Sequence, residues 1–326
     1  MKKVSVYVPE NAAIEAVTPP YRLFKTANDF LKAFDKKPLF DVEYVGLKNY
    51  IATNDGEYSV KIDRLIKDIQ ETDLIIIPAI YGEIDTAIKA NEKVIPWIKK
   101  MHQNGSEVAS LCIGAFLLGE TGLVNGKRCS THWAYYNQFR DMFPEINIVE
   151  GSVITDEGKI YSSGGANSIW NLLLYILEKY TDRNTAILAA KYFAIDIDRN
   201  SQGAFTIFTG QKAHNDKEIL QTQNYIEKSY QDKLTINGLA DKVDISQRTF
   251  ERRFKLATNN TPVEYVQRVR IEAAKRSFES SRKNVSEVMF DVGYSDMKAF
   301  RDVFKRVTGI TPIEYRNKYS KVAVEN

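Results

Sequence analysis

The sequence predicts an α/β domain, a mostly parallel sheet with helices on both faces, followed by an all-α domain. Three observations carry this expectation. Short runs of branched apolar residues alternate with amphipathic segments over about the first 190 residues. No convincing strand pattern appears from Asp216 onward. The C-terminal part also repeats itself at a fixed offset of 50 residues. At 326 residues the chain exceeds what one hydrophobic core usually serves, which agrees with such a division.

Strands are expected at 4–8, 74–77, 107–111, 153–155 and 159–162, each short and rich in branched apolar residues. Between several of them the spacing of apolar residues predicts helices at 21–34, 62–70, 86–103, 115–122 and 167–180. Near-continuous apolar strands alternating with amphipathic helices imply a flavodoxin-like parallel sheet buried on both faces. After about Phe193 the pattern stops, and the polar stretch from Asp196 to about Asn215 has no period. It reads as a connector, dividing the chain into residues 1–195, 196–215 and 216–326.

Hydrophobic residues make up 44% and charged residues 27%, values that speak against general disorder. No apolar run approaches the 18 or so residues that a membrane-spanning helix needs, and the lysine-bearing start is too short and mixed for a signal peptide. No membrane partner is expected, and the cytoplasm is the expected compartment. Two cysteines, Cys112 and Cys129, and three histidines, His102, His132 and His214, show no metal-ligand spacing. Neither a metal nor another cofactor is expected, and in a reducing compartment no disulfide. Net charge is only +3, but residues 215–326 hold 21 Lys and Arg against 16 Asp and Glu. That surplus suits a polyanionic partner for the C-terminal part.

The repeat is specific. Phe250, Phe254, Lys255, Thr258, Thr261, Pro262, Glu264 and Tyr265 recur as Phe300, Phe304, Lys305, Thr308, Thr311, Pro312, Glu314 and Tyr315. Upstream, Leu239, Ala240 and Ser246 are echoed by Val288, Met289 and Ser295 at an offset of 49, so one residue was added within the second turn. In the first copy Thr235 is placed to cap a short helix with Leu239, Ala240 and Val243 on its buried side. A turn at Asp244 and Ile245 leads to Ser246, which caps the next helix. There Phe250 and Phe254, four apart, face the core, while Gln247, Arg248, Glu251, Arg252 and Lys255 occupy the opposite face. The second copy follows the same plan. A helix at 285–292 is followed by a turn at Gly293 and Tyr294 and a cap at Ser295 or Asp296. Phe300 and Phe304 then point inward, and Met297, Lys298, Arg301 and Lys305 outward. Between the copies, 262–281 forms a long helix with Pro262 in its first turn. Two helix-turn-helix units, about 235–257 and 285–307, held on one rod suit double-stranded DNA, with reading helices roughly 34 Å apart on one face.

The runs Ser246-x-Arg248-Thr249-Phe250-x-Arg252-Arg253-Phe254-Lys255, Asp291-Val-Gly-Tyr-Ser-Asp296 and Thr308-Gly-Ile-Thr-Pro-Ile-Glu-Tyr-Arg316 resemble the AraC/XylS family signature, over about 100 residues. The resemblance implies a pair of reading heads on one monomer and control of nearby promoters. Carried over position by position, it assigns base contact to Arg248, Glu251 and Arg252, and to Met297, Lys298 and Arg301. Gln247 stands beside the first set. Asp302 departs from the arginine or other polar residue often found there, and an acid weakens phosphate attraction in the second unit.

The stretch from Glu107 to Gly126 carries a second signal. A buried strand ends at Leu111 and a helix starts near Gly114, so Cys112 falls on the strand-to-helix turn, beside a helix N-terminus whose dipole favours thiolate. Twenty residues on stands His132, a candidate imidazole partner. Residues 105–133 resemble the ThiJ/PfpI superfamily, of glutamine-amidotransferase-like fold, in which an elbow cysteine and a histidine adjoin one pocket. Pro20, Phe24, Ala27 and Asn28, with 163–167 and 198–205, resemble more narrowly the GlxA-type regulators, which join such a domain to an AraC module. Enzymes of the superfamily place an acid where this chain has Ala16, with Glu15 one step away. Where a Pro-Gly-Gly turn is common, the chain reads Pro78-Ala79-Ile80, and side chains there make an oxyanion pocket harder to build. Both departures oppose turnover.

The expected protein is a sequence-specific DNA-binding transcription regulator and not an enzyme. A small effector is expected in a pocket walled by Cys112, His132, Glu15, Ile113 and Ile80, with dimerisation into a homodimer through the same domain. RNA polymerase is a further candidate partner. Three other readings stay open: a cysteine hydrolase or lyase tethered to DNA, a redox sensor acting through Cys112, and an architectural DNA binder without a ligand.

Overall fold

The computed structural model describes residues 1–197 and 202–320, which fall into two compact units, Met1–Gln202 and Gly203–Asn326. The first unit begins with β1 (Lys2–Tyr7), α1 (Ile14–Ala33), β2 (Phe40–Gly46), a hairpin of β3 (Tyr50–Thr53) and β4 (Tyr58–Lys61), and β5 (Arg64–Leu65). It continues with β6 (Leu74–Ile77), α2 (Ile84–Asn91), α3 (Ile95–Gln103), β7 (Glu107–Ser110), α4 (Ala115–Glu120), β8 (Arg128–Cys129) and α5 (Tyr136–Met142). It ends with β9 (Asn147–Ile148), β10 (Ile154–Asp156), β11 (Ile160–Ser163), α6 (Ile169–Tyr180) and α7 (Arg183–Phe193).

Seven strands pair in the order β10-β11-β7-β6-β1-β2-β5, all parallel except β10 with β11. The strand period of two sorts their side chains between two cores. Val4, Val6, Leu74 and Ile76 join Leu23 and Phe24 of α1 and Leu173 and Leu177 of α6. Tyr7, Ile75 and Ile77 join Ile98 of α3 and Phe116 of α4. With helices on both faces, Leu74–Ile77 has no polar side to show, and so reads as an unbroken apolar run.

Four local expectations change. The segment 62–70, whose Ile62, Leu65, Ile66 and Ile69 are spaced as for a helix, is instead β5 followed by one 3-10 turn, Ile66–Asp68. Its apolar residues serve two clusters rather than one stripe: Ile66 and Ile69 pack beneath the sheet, while Ile62 packs with Ile51 and Val60 of the hairpin. Helix α1 starts at Ile14, upstream of the prolines, since Ala16, Val17, Pro19 and Pro20 are all buried and outweigh the backbone hydrogen bonds two prolines forgo. The segment 86–103 is two helices. At their junction the Asn91 side chain turns inward and accepts from the Tyr7 hydroxyl (2.7 Å) and the Glu10 amide (2.8 Å). β2, α5 and α7 were not foreseen.

The second unit is helical: α8 (Lys217–Ser229), α9 (Ile236–Asp241), α10 (Gln247–Thr258), α11 (Pro262–Ser280), α12 (Val285–Asp291), α13 (Met297–Thr308) and α14 (Pro312–Tyr319). It has two cores. One gathers Ile219, Ile226, Leu239, Phe250 and Phe254 on Tyr265, Val266 and Val269. The other gathers Val288, Met289, Phe300, Phe304 and Tyr315 on Ile271, Ala274 and Phe278. Helix α11 thus closes the first core with its first half and the second core with its second. The repeated Thr-Pro-x-Glu has a physical purpose. Thr261 with Glu264, and Thr311 with Glu314, each form a reciprocal capping box with proline in the first turn. Of the connector expected at 196–215, residues 198–201 lie outside the described residues. Gln202 packs into the first unit, and residues from Gly203 on pack into the helical unit, with Ala204 buried and Phe208 edge-on to Tyr265 at 5.2 Å.

Candidate DNA interface and effector site

Both reading helices are set up by the turn before them. Thr235 caps α9 by accepting from the Gly238 amide, and Ser246 caps α10 by accepting from Thr249. The turns are made by residues of positive φ, Asp244 (53°) and Gly293 (84°). From Asp244 to its cap is two positions. From Gly293 it is three, because the cap of α13 is Asp296, which accepts from the Ala299 amide at 2.7 Å. The added residue of the second copy lies in that interval.

Phe250, Phe254, Phe300 and Phe304 are completely buried, and this decides which face of each helix remains outside. On α10, Gln247, Arg248, Glu251, Arg252 and Lys255 are all exposed, with Gln247 Nε2 donating to Glu251 at 2.7 Å. Arg248, Arg252 and Lys255 line a groove shared with Leu256, Thr261 and Val263. On α13, Lys298, Arg301, Asp302 and Lys305 are exposed. Met297 differs from expectation. It is half-buried against the second core, because it precedes Phe300 by three residues and Phe304 by seven and so shares their face. Met297 therefore packs partly on the second core, while Lys298 and Arg301 stand fully outside it.

In the first unit Cys112 holds φ at +55° in the turn between β7 and α4. The turn is tight: a Cβ on Gly114 would lie 2.5 Å from the carbonyl oxygens of Ile77 and Pro78, so only glycine fits. The Cys112 amide donates to Ser163 Oγ (3.3 Å), and its carbonyl accepts from Thr131 Oγ1 (3.2 Å). Thr131 brings its neighbour His132 to the same region. There the His132 Nδ1 accepts from the Ala134 amide (3.2 Å), and burial holds its pKa below the usual imidazole value.

The thiolate expected at Cys112 is corrected. The residue is only 6% exposed, and burial pushes the thiol up to about 12, outweighing any help from a six-residue helix. Cys129 behaves likewise, pushed up to about 11. Of the other expected pocket residues, Ile113 is half-buried and touches both cores. Ile80 is completely buried and pairs with Ala12 in an isolated bridge, so it presents no surface to a ligand. Glu15 is exposed and accepts from Asn54 Nδ2 at 3.3 Å, while Ala16 faces the core. Cys112, Ile113 and His132 therefore share one region, and Glu15 is engaged with another part of the chain. Ser163 was missed. Its signal is the register of β11, the parallel neighbour of the strand that leads to Cys112.

Two reading helices with exposed, mostly basic faces, each backed by its own core and carried behind an α/β domain, define a transcription regulator. The chain belongs to the DJ-1/PfpI family, which it matches over residues 2–179, and residues 239–318 match a helix-turn-helix domain, here of AraC type. It is similar to the HTH-type transcriptional regulator CdhR of Pseudomonas aeruginosa, 21% identical over 259 residues that cover 79% of this chain and 76% of the relative. ArgR of the same organism, also an HTH-type transcriptional regulator, is 23% identical over 68% of this chain and 67% of its own length. Among solved structures, an AraC family transcriptional regulator from Pseudomonas putida shares the fold, with a TM-score of 0.52 and 17% identity over 59% of this chain and 100% of that one. No helix among the described residues is long and apolar enough to cross a membrane.

Proposed function

We infer that the chain is a one-component regulator: its helical part reads duplex DNA, and its α/β part binds a small effector and forms the dimer. The division proposed is sensor 1–195, connector 196–215 and DNA-binding part 216–326. Base contact falls to Arg248, Glu251, Arg252, Lys298 and Arg301, with Gln247 restraining Glu251. The effector region is the neighbourhood of Cys112, Ile113 and His132. RNA polymerase is the partner through which bound protein acts on a promoter, and the cytoplasm is the compartment.

The observation that supports this most is the pairing of exposed basic faces with wholly buried phenylalanines on both α10 and α13. Footprinting of the full chain on genomic DNA tests it. Two protected half-sites in neighbouring major grooves are expected, and protection without sequence preference would refute it. A cysteine enzyme is disfavoured by the burial and raised pKa of Cys112, and by Ala16 standing where an acid belongs. Thermal-shift screening of metabolites against the full chain separates a sensor from an architectural DNA binder.

A further inference from the structure

Gln202 ends the first unit, and its completely buried side chain is received as a bound molecule would be. Nε2, with two protons to give, lies within hydrogen-bond distance of three acceptors, the carbonyls of Thr131 (3.1 Å) and Ser152 (3.0 Å) and the hydroxyl of Tyr136 (2.8 Å). Oε1 accepts from the Gly165 amide at 2.8 Å. The backbone is shaped around this carboxamide. A Cβ on Gly164 would fall 2.1 Å from Nε2, and one on Gly165 3.1 Å from Oε1. The glycines of the 163–167 motif and the segment that follows 198–201 thus meet in one niche.

The niche adjoins the Cys112 region. Thr131 holds Gln202 through its carbonyl and Cys112 through its hydroxyl. A Cβ on Gly165 would lie 3.8 Å from the His132 ring and 3.9 Å from Ser168 Oγ. That Ser168 hydroxyl is completely buried and has no hydrogen-bond partner among the described residues. Buried hydroxyls are rarely left unpaired, and this one stands beside the carboxamide site.

We propose that this niche is where the effector is recognised, that Gln202 fills it in the free protein, and that the effector carries a primary carboxamide that displaces Gln202. The inference rests on the effector reading above. The chemistry selects the class: one backbone N–H takes an acceptor, and a cluster of carbonyl and hydroxyl oxygens takes an NH2 group. A carboxylate would set an anionic oxygen against two carbonyls, and an alkyl group would leave every one of these polar groups unpaired. Displacement removes the side-chain anchor of the residue directly before Gly203, leaving it held by its amide on the Gly151 carbonyl (2.8 Å), so occupancy of the niche loosens the tether of the DNA-reading part.

The test titrates full-length wild type, Gln202→Ala and Gln202→Glu with propionamide and, in parallel, propionate, after circular dichroism has verified folding. An internal occupant multiplies the apparent affinity by the fraction of time the niche is empty, so both variants should bind propionamide about tenfold or more tightly than wild type. Propionate should bind none of them. Equal propionamide affinity in all three, or equal binding of propionate, overturns the proposal. Gln202→Glu preserves side-chain volume and keeps the test decisive should the alanine variant fail to fold. Duplex binding followed on the same samples separates the two readings. Propionamide binding without sequence-specific DNA binding refutes the regulator and keeps the niche. DNA binding that responds to other metabolites, with no gain for propionamide in the variants, refutes the niche alone.

Discussion

Tyr265 meets Phe254 edge-on with 5.3 Å between ring centroids, and fifty residues later Tyr315 meets Phe304 in the same way at 5.6 Å. Each tyrosine hydroxyl donates to a glutamate of a preceding helix, Glu227 at 2.7 Å and Glu279 at 2.5 Å. Each lies in the first turn after a capping box, which fixes where its helix begins. What was duplicated is this support behind the reading helix. Of the outward residues only Lys255 was kept, as Lys305; Arg248 answers to Lys298, Glu251 to Arg301 and Arg252 to Asp302. With the proposed reading residues, two unlike heads on a shared scaffold predict an operator made of unlike halves, which footprinting of a single monomer site checks.

Phe304→Ala is expected to cost about 3–5 kcal/mol, the usual range for emptying a buried aromatic position. Because Phe254 belongs to a separate core, the loss should fall first on the second head. Footprinting should retain the half-site read by α10 while protection by α13 fades, and urea melts should show an earlier first transition. Simultaneous loss of both half-sites would show that the cores unfold as one.

Arg248→Ala is expected to weaken specific binding by about 1–3 kcal/mol if its guanidinium meets a base edge. The side chain is exposed in the free protein, so folding stability should be unaffected. Competition between operator and random duplex measures the outcome. Equal weakening on both would move Arg248 from base to phosphate contact.

The thiols give a pH-dependent prediction. With Cys112 pushed up to about 12 and Cys129 to about 11, native alkylation at neutral pH should be slow, and the rate should keep rising tenfold per pH unit well past the ordinary cysteine range. For stability the sign is opposite to that of a salt-bridged acid. The unfolded thiols lose protons near pH 8.5 while the folded ones keep them, so unfolding becomes easier as pH rises above about 8.5. Peroxide at neutral pH should leave DNA binding intact. A fast, stoichiometric reaction of Cys112 in the native protein would reopen both the redox and the enzymatic readings.

The helical unit was legible because its signals are local and twofold: a cap, two phenylalanines four apart and a proline-marked restart, each present in both copies. The sheet was legible where it is covered on both faces, as at Leu74–Ile77. Edge elements were not. The 62–70 segment carries helical spacing, yet its side chains answer to two different clusters, a demand that tertiary packing alone sets. Gln202 was invisible for another reason. Three of the four groups its side chain meets among the described residues are backbone groups, which no residue type announces, and these four lie 37 to 71 residues away.

The pair Lys275 and Glu272, one turn apart on α11, supplies the last prediction. Their side chains are 5% and 11% exposed, with Nζ 3.0 Å from Oε2. Glu272 Oε2 also accepts from the Phe208 amide (3.2 Å), and Lys275 donates to the Thr206 carbonyl, so the pair fastens 206–208 to the rod between the two heads. Lys275→Met should cost about 3–5 kcal/mol, since it strands a carboxylate away from water. Adding Glu272→Gln should recover much of that loss, because no unpaired charge then remains buried. A double-mutant cycle by denaturant unfolding gives the coupling, and amide exchange at Phe208 reports the strap directly. Single and double variants are expected to exchange faster there than wild type, with only the single losing most of its stability. If Lys275→Met remained within about 1 kcal/mol of wild type, in the range of an exposed pair, the ion pair would have to be hydrated and the strap held by Phe208 packing on Tyr265 instead.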